Sequence, residues 1–517
     1  MNDSAAKIPP APGAQVLRAL ARHRDRVAFS WDGGSLTYDG AEQLIGRYQA
    51  VFSARGLTRG ACVAVLAGNR ADSWCATVAA QALGLRTTPL HPMGSLADHL
   101  FQLEDVGADA LVVDPGKFAE RGGELQEAVA TVFTLGATGF GENLAAAAED
   151  VGPCRPATLA QPEDVAVVNY TGGTTGRPKG AMRRQPSLAA SALAIMADFE
   201  LPARPRYLAV APISHVAGSK ILPVLARGGT VHLMQGFDPA QVTATVARER
   251  LNMTLLVPTM IYSVLDHADD LSPLAPLELL LYGASPMSPT RLREGLERIG
   301  PVFSQLYGQT ECYPVAVLPK ADHDPARPEL FSACGFPIAA CDVAVLDEEG
   351  NPVPQGEAGE ICVRAAHVMD GYWNRPEQTA ETLAGGWLHT SDMARCDEEG
   401  RLYIVDRKKD MIISGGFNIY PKEIEDVLTG HPGVAQAAVI GVPDNKWGEA
   451  VTAMVVRRAS SGVSAEELIT LVKQMKGSAH APKSVEFLDE LPVTAVGKVD
   501  KKVLRAPYWA GAERQVG

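Results

Sequence analysis

The stretch YTGGTTGRPKG, residues 170–180, follows the apolar run Val165–Val168 and precedes a segment with helical character, 187–199. Four glycines (Gly172, Gly173, Gly176, Gly180) let the backbone turn tightly and bring its N–H groups close to an anion. Thr171, Thr174 and Thr175 add hydroxyl donors, and Lys179 adds a point charge suited to phosphate oxygens. A strand, a glycine- and hydroxyl-rich loop and a closing lysine describe a polyphosphate cradle. It is not a Walker loop, because Lys179 follows Pro178 and no Gly-Lys-Ser/Thr step occurs.

Around that loop lies a chain of 517 residues, too long for one ordinary core, so two or more domains are expected. With 46% hydrophobic and 21% charged residues the composition is globular. A net charge of −13 offers no basic excess to displace counterions, which argues against a nucleic-acid partner. It leaves a local phosphate cradle untouched. The eight cysteines form no CxxC pair and no regular spacing, so they read as small buried residues in a reducing compartment. No signal peptide, transmembrane run or peroxisomal tail is legible, and a cytoplasmic location is expected.

Read from the start, residues 15–55 predict a helix, a hairpin over 27–38 and a second helix capped by Asp39. Short β-rich runs then alternate with helical segments: 62–66, 110–113, 165–168, 207–210, 230–233, 254–257 and 279–281. That alternation predicts mixed or parallel sheets covered by helices, with ligand loops at the strands' carboxyl ends. Residues 140–163, alanine-rich and acidic, read as a loosely packed connection. From about Cys334 the pattern turns antiparallel, with strands over 343–346, 360–364 and 401–405. The charged run DRKKD, 406–410, marks a boundary, because a smaller α/β pattern follows: a helix from Pro421, strands over 435–440, 451–456 and 485–488, and a helix over 465–476.

Four further motifs carry chemistry. In YGQTE, 307–311, Glu311 stands beyond a strand where it could hold a magnesium ion, and Thr310 could donate to a phosphate. In WLHTSD, 387–392, Asp392 could accept two ribose hydroxyls. Arg407 could fork onto ribose or phosphate. In LPVTAVGKVDKK, 491–502, Gly497 and Lys498 occupy a turn near the C-terminus. Each alone also fits a solvated surface residue.

In this order, the five resemble the acyl-adenylate-forming superfamily of acyl- and aryl-CoA synthetases, peptide-synthetase adenylation domains and firefly-type luciferases. The resemblance runs from LTYDGAEQL to GKVDKKVLR. It implies an α/β fold with a large N-terminal domain, 1–408, containing a β-subdomain, and a small mobile C-terminal domain, 409–517, hinged at Lys409. It implies ATP, Mg2+ and CoA, a small-molecule carboxylic acid, and two steps: acyl-AMP formation with release of pyrophosphate, then transfer to a thiol. By the same likeness Lys498 bridges carboxylate and α-phosphate. Thr171 to Lys179 hold the β- and γ-phosphates, Glu311 the magnesium. Gly283, Ala284 and Ser285 lie against adenine with Tyr307 stacking on it, and Asp392 and Arg407 fix the ribose. Gly415 and Gly416 line the pantetheine path, and His215 takes the place of the aromatic gate between acid and thiol; a satisfied core histidine is its plainer reading.

The chain departs from the family at Gly172, where many members have serine; at Ser391, where glycine is commoner; and at Val493, where lysine is frequent. None removes a charge that the mechanism needs. Likeness places the acyl pocket around 215–220, 283–285 and 306–314, where Leu306, Tyr313 and Pro314 are bulky and point to a compact, aromatic acid. Lys220 reads either as a partner for a polar substituent or as a snorkelling surface lysine. A carrier protein or another nucleophile in place of CoA remains the alternative acceptor. The natural acid and the oligomeric state, dimer included, stay open.

Overall fold

The computed structural model describes residues 11–171, 178–285, 287–407, 410–414, 417–444, 446–458, 461–493 and 499–509. Two large sheets dominate the N-terminal part. In the first, six strands run parallel in the spatial order Phe303–Tyr307, Leu279–Gly283, Met253–Leu256, Arg206–Ala209, Thr230–Leu233, Val27–Trp31. Antiparallel strands Ala316–Leu318 and Gly34–Thr37 flank the parallel set. In the second, Val165–Tyr170, Arg86–Pro89, Cys62–Leu66, Ala110–Val113 and Thr131–Thr134 are parallel neighbours. Central strands are buried on both faces, as parallel strands between helices must be: Ala110–Val113 and Met253–Leu256 are buried throughout.

The phosphate-loop strand is not followed directly by a helix. Gly180–Arg184 returns antiparallel to Val165–Tyr170, Tyr170 facing Gly180, and only then does helix Gln185–Asp198 begin. Gly180 fits because a Cβ there would lie 2.5 Å from Val168 Cγ1. Val165–Tyr170 and Gly180–Arg184 thus form an antiparallel pair in a mostly parallel sheet, and Gly371–Tyr372 pairs on the outer side of Gly180–Arg184.

Two further expectations change. The first long helix, Tyr38–Ala54, is capped by Thr37, whose side chain accepts from Gly40 N, while Asp39 lies in the first turn and pairs with Arg24 at 2.7 Å. The supposedly loose connection contains a helix, Leu144–Asp150, capped by Asn143 and burying Leu144 and Ala148 in the main core. Alanine-rich sequence is here the means of close packing rather than of its absence.

The antiparallel region forms a four-stranded sheet, Cys341–Leu346, Gly359–Ala365, Leu388–Cys396, Leu402–Arg407. Beyond it, Ile412–Ser414, Val434–Asp444, Gly448–Arg457 and Ser484–Leu488 build a smaller sheet covered by helices Pro421–Thr429 and Ala465–Lys476. It has its own core of Ile412, Ile424, Val439, Val451, Val455 and Leu468 among others. Separate cores explain why charge could concentrate between them.

Candidate active site

The expected phosphate and magnesium residues come from different sheets and meet at one tyrosine. Lys179 accepts at its carbonyl from Thr171 N, 2.9 Å. Its ammonium lies 5.0 Å from the centre of the Tyr372 ring. The Tyr372 hydroxyl donates to Glu311 Oε1 at 2.7 Å. Glu311 is held from behind, where its carbonyl accepts from Met369 N, 2.7 Å, and the neighbouring Thr310 carbonyl accepts from the buried guanidinium of Arg183. A cation and a carboxylate sharing one aromatic side chain fit a metal-chelated triphosphate: one end neutralises phosphate, the other offers hard oxygen to Mg2+.

The residues expected at the ribose form a second tight group. Asp392 and Arg407 sit opposite one another on paired strands. The Arg407 Nε lies 3.3 Å from Asp392 Oδ1. Asp392 Oδ2 accepts from the Tyr307 hydroxyl and from Gln309 Nε2, each at 2.7 Å. Burial and the Asp392 charge together raise the Tyr307 phenol far above its ordinary value, so it stays a donor. Tyr307 and Gln309 therefore belong to the same cluster as Asp392. Gln309 lay inside YGQTE and was passed over; Tyr372 offered no signal beyond an aromatic pair in DGYWNRP.

Four non-glycine residues among those described have a left-handed φ, Arg250, Ala284, Asn374 and Ser391, and two of them fall in the expected motifs. Ala284 has φ +68° and Ser391 φ +59°, a left-handed region that non-glycine residues enter at a cost of about 1–2 kcal/mol. Such strain is commonly stored at binding sites. Gly283 is required by close approach, since a Cβ there would lie 2.3 Å from the Leu306 carbonyl oxygen. Ala284 itself is exposed, and Ser285, next to it, is partly buried. At Ser391, where the family resemblance leads to an expectation of glycine, that φ gives the expectation a physical reason.

His215 packs edge-on against His91, ring centres 4.4 Å apart, and its Nδ1 lies 2.8 Å from Ser214 Oγ. Burial, with a smaller contribution from His91, pushes its pKa down to about 3, so the imidazole is neutral near pH 7. A half-buried aromatic wall is what a gate needs. Lys220 does not snorkel: it is fully buried. Its Nζ donates to Ser219 Oγ at 2.9 Å and to the Tyr313 hydroxyl, and it sits 4.5 Å from the centre of the Tyr313 ring. Burial holds this amine well below its ordinary range.

Gly172, Gly173, Thr174, Thr175, Gly176, Lys409, Gly415, Gly416 and Lys498 lie outside the described residues. What is described brings Thr171, Lys179, Glu311, Thr310, Tyr307, Asp392 and Arg407 together by direct contacts or through Tyr372, Gln309 and Arg183.

Residues 16–373 match the AMP-binding enzyme family, and 423–498 match the AMP-binding enzyme C-terminal domain. The chain is 42% identical to the medium/long-chain-fatty-acid–CoA ligase FadD8 of Mycobacterium tuberculosis, over 98% of this chain and 91% of that one. It is 38% identical to a feruloyl-CoA synthase of Amycolatopsis, over 96% and 99%. Among solved structures it is similar to the amide bond synthetase McbA of Marinactinospora thermotolerans, with TM-score 0.88, 34% identity and coverage of 96% and 100%. No helix among the described residues is long and apolar enough to cross a membrane. A two-domain α/β fold, a carboxylate–cation pair joined at one tyrosine and full-length likeness to CoA ligases lead to one assignment: the chain belongs to the AMP-binding enzyme family, in its acyl- and aryl-CoA synthetase branch, and is an AMP-forming acid–thiol ligase that uses ATP and CoA.

Proposed function

We propose that the ligase activates a compact, aromatic carboxylic acid. The observation that carries this reading is the fixed Tyr313 ring: pinned by Lys220 on one side and by its own carbonyl on Ser191 Oγ at 2.6 Å, it has little freedom to swing away for a long chain. Leu306, buried beside Gly283, narrows the opposite wall. The feruloyl-CoA synthase relative fits this reading, and the fatty-acid relative is its natural rival.

In this scheme Lys179 and the threonines of the loop hold the β- and γ-phosphates, and Glu311 holds Mg2+, which screens the charge that builds on pyrophosphate. Asp392, kept as an acceptor by Arg407, takes the ribose hydroxyls. Lys498 bridges carboxylate and α-phosphate, and the C-terminal domain, pivoting at Lys409, withdraws it to admit pantetheine between Gly415, Gly416 and His215. A second acceptor, a carrier thiol or an amine, draws support from the likeness to an amide bond synthetase. Acid-dependent pyrophosphate release, measured with cinnamate-type, benzoate-type and C8–C16 acids, with and without CoA, tests both points. Highest kcat/KM with an aryl acid is expected; preference for palmitate-length chains overturns the compact pocket, and turnover indifferent to CoA overturns CoA as the acceptor.

A further inference from the structure

Directly behind the magnesium-motif strand lies a cluster that the adenylation chemistry does not use. Cys312 follows Glu311 in sequence, Cys341 opens the first strand of the four-stranded sheet, and His367 lies two residues before Met369. One ligand-type atom from each falls within 4.8 Å of the other two. Cys312 and His367 are buried; Cys341 is partly exposed. His367 Nε2 lies 3.5 Å from Cys341 Sγ and 2.6 Å from the Pro314 carbonyl oxygen. An acceptor at that distance means Nε2 carries the hydrogen, so the nitrogen nearest Cys341 is a donor and not a metal ligand.

We propose that Cys341 and Cys312 are a peroxide-modified thiol pair whose oxidation to a disulfide disables the neighbouring site. A partly exposed cysteine beside an imidazole, with a second, buried thiol within reach, is the arrangement by which a protein thiol is first oxidised and then resolved. The Cys312 thiol, followed by His367, also holds Cys341 below the ordinary thiol range against the opposing effect of burial. In the first step Cys341 Sγ, as thiolate, attacks one oxygen of hydrogen peroxide; the O–O bond breaks, a sulfenic acid forms, and hydroxide leaves to become water. In the second, Cys312 sulfur attacks the sulfenic sulfur, and its proton departs with the hydroxyl as a second water. Two thiols lose two electrons and one peroxide becomes two waters.

The disulfide reaches the active site through a short lever. Cys312 exchanges backbone hydrogen bonds with Gln309, at 2.8 and 3.2 Å, inside the turn that carries Glu311. Drawing its sulfur to bonding distance of Cys341 pulls that turn toward the four-stranded sheet and Glu311 away from Tyr372. The test treats the full chain with hydrogen peroxide, maps its peptides and measures acid-dependent ATP–pyrophosphate exchange before and after dithiothreitol. The expected result is a linked 312–341 peptide pair, a mass about 2 Da lower, a loss of exchange of about tenfold or more, and recovery on reduction. Cys341→Ala keeps its activity under the same treatment, whereas Cys154→Ala, altered at a distant surface thiol, remains sensitive. Should Cys341→Ala fold poorly, Cys341→Ser serves, and the peptide map of the unaltered protein stands by itself. No 312–341 link, a link without loss of activity, equal inactivation of the Cys341 variant, or stoichiometric zinc protecting both thiols would each overturn the proposal.

Discussion

Lys220 is the residue whose sequence reading and structural position differ most. Among apolar neighbours on a short helix start, a lysine is expected to snorkel; instead its amine is fully buried against Ser219 and Tyr313, with no carboxylate among its hydrogen-bond partners in the described residues. Burying a charged ammonium unpaired costs several kcal/mol, so folding favours the neutral amine of Lys220 and holds its pKa well below the ordinary value. The unfolded chain takes a proton below the ordinary value of 10.5, and a folded pKa depressed beneath it means stability is lost as pH falls through that window and regained as pH rises. Lys220→Met keeps most of the volume and removes the titration. Relative to this variant, the wild-type melting temperature should climb between pH 7 and pH 9.5; parallel profiles across that range would show that Lys220 remains charged when folded. Charges that were legible in sequence share a feature that Lys220 lacks. Lys179, Glu311 and Asp392 stand in short motifs rich in glycine, hydroxyl or acid residues, whereas Lys220 is defined by what surrounds it in space.

Elements show the same division. Strands such as Cys62–Leu66, Ala110–Val113 and Thr230–Leu233 are short β-branched or apolar runs bounded by turn residues, and local pattern suffices to find them. Gly180–Arg184, carrying two arginines, and Arg86–Pro89, carrying none but threonine and proline besides its arginine, give no such pattern. They are strands because neighbours complete their hydrogen bonds, a tertiary fact. The turn leading to His215 is also assembled from afar. Asn69, which follows Cys62–Leu66 in one sheet, places its amide nitrogen 3.0–3.2 Å from the carbonyl oxygens of Ala209, Val210, Ala211 and Met234 in the other, and its Oδ1 accepts from Ile213 N at 2.9 Å. A single buried amide thereby fixes the carboxyl ends of two strands and the start of the gate segment. Asn69→Ala removes two buried N–H donors and the acceptor for Ile213 N, and should destabilise by about 2–3 kcal/mol. Equilibrium urea unfolding measures it, and a loss below about 0.5 kcal/mol would mean that water replaces the amide without cost.

At the scale of the molecule the two cores meet through charge. Asp406, at the end of the last N-terminal strand, accepts from Lys422 N at 3.1 Å across the boundary, and burial raises its pKa to about 6. Arg395 pairs with Glu423 across the same boundary at 3.8 Å, while within the C-terminal domain Lys501 pairs with Glu425 at 2.8 Å and Arg505 pairs with Asp410. Helix Lys501–Arg505 begins three residues after Lys498, so these pairs tie the segment carrying that lysine to the residues flanking the proposed pivot. Ion pairs suit such a joint better than apolar packing, because a water-filled alternative costs them less. If Lys498 serves only the first half-reaction and rotation about Lys409 only the second, two substitutions must separate the halves. Lys498→Ala should lower acyl-AMP formation by about 10² or more, the scale of losing one preorganised donor to developing charge, while transfer from supplied acyl-AMP to CoA is largely spared. Lys409→Pro, which fixes φ at the pivot, should leave adenylation near normal and slow thioester formation. Single-turnover measurements of each half-reaction decide it. Equal losses in both steps for either variant would mean that one rigid site performs both reactions, and the division of labour between the domains would have to be abandoned.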